Sequence, residues 1–229
     1  MDSQKNRVRM GECFGLNLTV EFISLLCSLF AFIYGAHVSF KNRGALFLQI
    51  ITCAFGCFSL GNLYDLCYFV CMERADYSFN IGSLGYLGGM FFLFSSYYGA
   101  MDRIGDNKSK SLVKYKVYSL LLSSMNLILC TIMMYGANFN IFLFVSSVLS
   151  SAVLYFAFKH LFLPDIENGI LKVMKQYNLL IISLCVIKNL YDISCLYSSA
   201  LSPYLKLLLC TITIFIMPQA VKGVKKWST

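Results

Sequence analysis

Charge is scarce in this sequence. Acidic and basic residues together make up 13% of its 229 residues, where a soluble domain carries about a quarter. That scarcity excludes an ordinary water-soluble globular domain. Metal-ligand spacing is missing too: with no Cys-x-x-Cys and no Cys/His cluster, no metal is expected, and no other cofactor. Tryptophan occurs once and proline three times. No stretch has the composition of a separate soluble domain, and the longest segments between apolar runs are about fifteen residues, short of any folded unit. The net charge of +8 does not imply nucleic acid, because the basic residues sit between apolar runs, as topology signals do.

What is present is apolar. Hydrophobic residues make up 58% of the chain, with fifteen Tyr and twenty Phe, the composition of a polytopic membrane protein. Nine of the ten cysteines (Cys27, Cys53, Cys57, Cys67, Cys71, Cys130, Cys185, Cys195 and Cys210) fall in or at the ends of apolar runs, where thiols act as small hydrophobes. A spanning helix needs about 20 mostly apolar residues. Seven segments qualify: 17–40, 45–71, 81–101, 117–136, 139–162, 177–199 and 203–221. The sequence thus predicts an all-α membrane protein, a seven-transmembrane-helix bundle in one integral membrane domain embedded in a lipid bilayer. "GANFN" (136–140) turns the chain between the fourth and fifth segments, and Pro164 and Gly169 stop the fifth. The first run is too long for a signal-peptide core and is read as the first helix. With the N-terminus outside and the C-terminus cytoplasmic, thirteen Lys and Arg fall on the inner side against five on the outer, and that asymmetry sets the expected orientation.

The chain repeats itself. "GNLYDLCYF" (61–69) and "KNLYDISCL" (188–196) share Asn-Leu-Tyr-Asp, and the same alignment pairs Gln49 with Gln176. Tyr34 and Tyr155 hold comparable places in the preceding segments. A 3+1+3 parallel pseudo-repeat follows, with units 17–101 and 139–221 in the same orientation and 117–136 as the inverting linker helix.

The shared core carries charge into the membrane. Asp65 and Asp192 lie at similar depth, each about six residues before the outer end of its helix. Lys188 stands one turn below Asp192, and Asn62 and Asn189 stand three residues before their aspartates. With Glu21 near the outer start of the first helix, and Tyr64 and Tyr191 alongside, they form one polar layer in the outer half of the bundle. A charge at mid-membrane costs about 2.5–3.5 kcal/mol on insertion scales, so such residues turn inward, pair or line a wet cavity. These eight residues are the candidate ligand-binding set. The competing reading is structural, with Lys188 neutralising an aspartate, the asparagines as interhelical glue and Glu21 snorkelling to the interface. Gly82, Gly85 and Gly89 share one face of the third helix, suited to close packing within the chain or to a homodimer seam. The stripe Cys53, Cys57, Leu60, Tyr64, Cys67 and Cys71 on the second helix reads as a packing seam.

Pseudo-twofold-related polar residues at one depth are what a site between two rocking halves presents, so a small-solute transporter or carrier is the leading expectation. Seven helices of this length in a 3+1+3 pattern resemble the SWEET sugar carriers and their PQ-loop relatives in architecture alone. Those families build hinges on prolines in the first two helices of each repeat; Pro164, Pro203 and Pro218 stand elsewhere. The alternatives are a membrane sensor or receptor needing a separate output partner, and an accessory membrane protein with a purely structural polar layer. An aspartyl hydrolase using Asp65 and Asp192 lacks the accompanying Gly-x-Gly-Asp motif and has Lys188 holding Asp192 ionised, so catalysis is not expected.

Overall fold

The computed structural model describes residues 2–41, 46–72, 81–101, 113–136, 139–162, 170–197 and 200–228. Within them the chain forms seven helices: α1 (Asp2–Lys41), α2 (Leu46–Met72), α3 (Ile81–Ser96, ending in a π turn at Tyr97–Met101), α4 (Val113–Gly136), α5 (Ile141–Phe162), α6 (Ile170–Leu196) and α7 (Ser202–Ser228). Six of them are long and apolar enough to cross a membrane; the regular part of α3 has 16 residues and reaches the expected 81–101 only through its π turn. Arg43, Arg74, Arg103, Lys108 and Lys110, part of the orientation argument, and Pro164 lie outside the described residues.

Three helices run past their apolar spans. α1 begins at Asp2 although its span starts at Asn17, α6 begins at Ile170, and α7 continues to Ser228. Hydropathy marks where lipid ends, whereas a helix ends where its backbone bonds do, and nothing in these polar extensions breaks them. Asn140 caps α5, its Oδ1 accepting from the Phe142 amide at 2.9 Å. Pro203 stands in the first turn of α7, where a missing N–H costs nothing, and Pro218 lies inside the same helix.

Six helices close into a ring in the order α1, α2, α3, α5, α6, α7 and back to α1, while α4 packs outside it against α5 and α6. α2 and α7 also touch each other. Lipid tails are as apolar as the side chains, so close packing of small residues draws such helices together. At the α2–α3 crossing a Cβ on Gly85 would lie 2.7 Å from the Gly61 Cα, and one on Gly89 would enter the Phe58 ring. The glycine face of α3 is thus used within the chain, against α2. Gly35 lets α1 sit close to Thr52 of α2 and Met217 of α7. On α4, Ser119, Ser123 and Cys130 are buried, and Ser123 donates to the Ser151 carbonyl oxygen on α5.

One half of the ring is packed solid, with Ile51, Phe55, Leu93, Leu154, Ile181 and Ile216 fully buried among their neighbours. The outside is apolar: Met125 and Ile132 on α4 and Leu60 on α2 are all more than 60% exposed, a surface suited to lipid and not to water. Fold and surface together make this an integral membrane helical bundle. The cysteine stripe of α2 departs from expectation. Cys53, Cys67 and Cys71 are exposed on the outer face, and of the four only Cys57 turns inward, beside Gly88. Near-uniform hydropathy around α2 hides which side of a thiol stripe faces the neighbours.

Candidate functional site

The other half of the ring is hollow. A cavity of about 220 Å³ lies where α3, α5 and α7 begin and α2 and α6 end, and every ring helix contributes to its wall. α1 supplies Glu21, Ser24 and Ser28; α2 supplies Phe58, Asn62, Asp65, Tyr68 and Phe69; α3 supplies Ser83, Tyr86 and Met90. From α5 comes Ser146, from α6 Leu184, Lys188, Tyr191, Asp192 and Cys195, and from α7 Lys206, Cys210 and Thr213. α4 contributes nothing to it. Three carboxylates and two ammoniums thus meet in a membrane span, drawn together because lipid solvates none of them.

The charges are arranged in pairs. Lys188 donates to Asp192 at 2.6 Å along one turn of α6 and also to the Ser146 hydroxyl, tying α6 to α5. Lys206 donates to Glu21, closing the ring between α7 and α1, and its ammonium lies 5.7 Å from the centre of the Tyr191 ring. Their side chains are 7–17% exposed, so the pairs are mostly but not wholly desolvated. Asp65 lies beside the Tyr86 hydroxyl. It projects from α2, which stands opposite α6 in the ring.

Asn62 is a three-helix junction. Its Oδ1 accepts from Ser24 at 2.8 Å and from the Tyr86 hydroxyl at 2.6 Å, and its Nδ2 donates to the Ser28 hydroxyl at 3.0 Å. Its counterpart Asn189 is 2% exposed, yet neither end of its amide finds a hydrogen-bond partner among the described residues. Asn189 does not line the cavity. The two copies of the shared core therefore present their aspartates alike and their asparagines differently.

Six of the eight sequence-predicted residues, Glu21, Asn62, Asp65, Lys188, Tyr191 and Asp192, come together on the cavity wall. Asn189 and Tyr64 do not; Tyr64 stacks on Tyr68 with ring centres 6.2 Å apart, away from the cavity lining. Sequence reasoning left out Ser24, Ser28, Tyr86, Ser146 and, as a partner for Glu21, Lys206. The signal for the last was available: opposite charges near the starts of the first and last apolar spans, Asn17–Phe40 and Ser202–Lys225. Ser24 and Ser28 stand one turn apart on α1 and could have been matched to an asparagine on the next helix.

A second polar cluster lies in the packed half, and sequence reasoning missed it. Tyr97 in the π turn donates to the Asn178 Oδ1 at 2.8 Å and stacks on His160 with centres 5.9 Å apart. Tyr177 packs beside both Tyr97 and Phe47. The members of this cluster among the described residues carry no carboxylate, and they lie within the packed core beneath the hollow half. No group of three or more histidine, cysteine, aspartate or glutamate side chains that could hold a metal occurs among the described residues.

No protein-family model, no curated protein and no solved structure matches this chain, so its functional reading rests on the geometry.

Proposed function

We propose that this protein is a small-solute carrier whose binding site is the ring cavity. A single observation carries the reading: all six ring helices turn polar or charged side chains into one cavity inside a membrane bundle, and the packed half of the ring seals it below. A purely structural polar layer needs its ion pairs, but it needs no hollow between them. We place the N-terminus outside and the C-terminus in the cytoplasm, supported by the excess of Lys and Arg on the inner side; the cavity then lies in the outer half.

The parallel repeat belongs to the same proposal. Exchanging α1, α2 and α3 with α5, α6 and α7 maps the ring's neighbour pairs onto one another, α3–α5 becoming α7–α1, while the contacts of α4 with α5 and α6 have no counterpart. Asp65 and Asp192 exchange across the cavity. Two such halves rocking about a site between them would expose it to either face in turn.

The test needs no knowledge of the solute. Leu184 lines the cavity and is 6% exposed. In a cysteine-free background that keeps its thermal melt, Leu184→Cys is exposed in sided vesicles to a membrane-impermeant thiol reagent. Reaction from both faces supports a carrier. Reaction from one face alone replaces it with the sensor reading, in which a ligand is detected and not moved. No reaction from either face refutes both and leaves the polar layer structural.

A further inference from the structure

Beneath the cavity, side chains from four helices meet across the middle of the ring. The Tyr97 hydroxyl of α3 donates to the Asn178 Oδ1 of α6 at 2.8 Å, reaching past α5, since α3 and α6 are not neighbours in the ring. Tyr177, next to Asn178, has its ring 6.0 Å from that of Tyr97 and stands edge-on to Phe47 of α2 at 5.5 Å. His160 of α5 stacks on Tyr97. One half of the ring thus grips the other through side chains that are at most 3% exposed.

This layer lies at the opposite end of the bundle from the cavity. Tyr97 and His160 stand in the last turns of α3 and α5, and Phe47 and Tyr177 stand near the starts of the apolar spans of α2 and α6. A solute leaving the cavity on that side has to pass it. Two features suit the layer to opening. Tyr97 begins the π turn, and π turns interrupt the regular helical ladder and recur at functional sites. The Asn178 amide is only half satisfied: its Oδ1 is bonded, while its buried Nδ2 finds no hydrogen-bond partner among the described residues. An orphaned donor raises the free energy of the closed layer, and water entering on opening satisfies it. A layer that served rigidity alone would be better built from apolar side chains.

We propose that Tyr97 and Asn178 are the latch of a gate beneath the cavity, which parts when the site opens to the face where α2 and α6 begin. This rests on the carrier reading. It adds the place where the two halves separate and the bond that holds them shut.

The experiment uses the full chain in sided vesicles, with Leu184→Cys as the reporter and Tyr97→Phe added to it. Phenylalanine keeps the ring and its stacking and removes the bond to Asn178. Labelling from the face beneath the layer is expected to rise about threefold to tenfold, the effect of losing one buried bond, while labelling from the cavity's own face changes by less than about twofold. If that variant does not fold, Phe47→Leu takes its place, with an expected rise of about twofold to tenfold from beneath. An unchanged rate from beneath overturns the gate. An equal rise from both faces overturns it too, because Tyr97 then merely holds the bundle together. The carrier reading is judged apart, on Leu184→Cys with Tyr97 intact. Reached from both faces, it stands whatever becomes of the gate; reached from one face or from neither, it falls and the gate falls with it.

Discussion

The α2–α3 crossing allows a sharp prediction from one added methyl group. A Cβ on Gly85 would lie 2.7 Å from the Gly61 Cα, 2.8 Å from its amide nitrogen and 2.9 Å from the Cys57 carbonyl oxygen. All three are backbone atoms, so no side chain can turn aside and α3 must lift by about 1 Å to reach ordinary contact. A gap of that size forfeits about a third of each contact's ~0.15 kcal/mol; over about fifty atom pairs that is about 2–3 kcal/mol. Alanine's better helix propensity returns about 1 kcal/mol. Gly85→Ala is therefore destabilised by about 1–2 kcal/mol. Gly88 is the control, since its Cβ would meet only the Cys57 side chain, at 3.5 and 3.8 Å, which is ordinary contact. Gly88→Ala keeps the propensity gain without the clash and is neutral to about 1 kcal/mol more stable. The assay is reversible unfolding of both variants in mixed detergent micelles titrated with a denaturing detergent. Gly85→Ala found as stable as Gly88→Ala would refute the close-crossing argument. Tyr86 adjoins Gly85, so the same lift stretches its 2.6 Å bond to Asn62 and should loosen the cavity wall.

The two asparagines separate in the same assay. Asn62→Leu removes three interhelical bonds and is expected to cost about 1–3 kcal/mol, whereas Asn189→Leu removes an unpartnered buried amide and should be neutral or stabilising. Glu21→Gln leaves the Lys206 ammonium facing a neutral amide, for an expected loss of about 2 kcal/mol; Glu21→Gln with Lys206→Met should melt above that single variant, and a double variant melting below it would show that the pair is not what holds α1 to α7. In native protein Cys185, fully buried beneath the cavity, should resist a small water-soluble thiol reagent while Cys195 on the wall reacts, a contrast read by mass spectrometry of the labelled peptides; equal labelling would contradict the placement of the cavity floor.

The positions of the spans were legible because the cost of exposing a backbone polar group to lipid imposes a length on every apolar run; Asn17–Phe40 and Ile141–Phe162 lie within two residues of where hydropathy places them. The depth of Asp65 and Asp192 was legible for the same reason, as depth follows from residue count. Rotation about the helix axis was not. On a helix apolar on both faces, nothing local distinguishes Tyr64, turned away, from Tyr68, one turn on and in the wall. Partners distant in sequence were hidden as well. Lys206 reads as an interface residue until α7 is seen beside α1, and the Tyr97–His160–Asn178 cluster has no acidic residue among the described ones to announce it.

The ring's closure has a consequence for how the protein is made. Glu21 emerges from the ribosome in the first helix, and its partner Lys206 follows 185 residues later in the last. At about 5–20 residues per second, that is a wait of roughly 10–40 s. Throughout it the first helix must hold a carboxylate at the membrane's edge while five more helices insert. Assembly of this bundle is therefore gated by its final helix. Truncation before α7 should leave a nascent chain that depends on insertion chaperones and is quickly degraded.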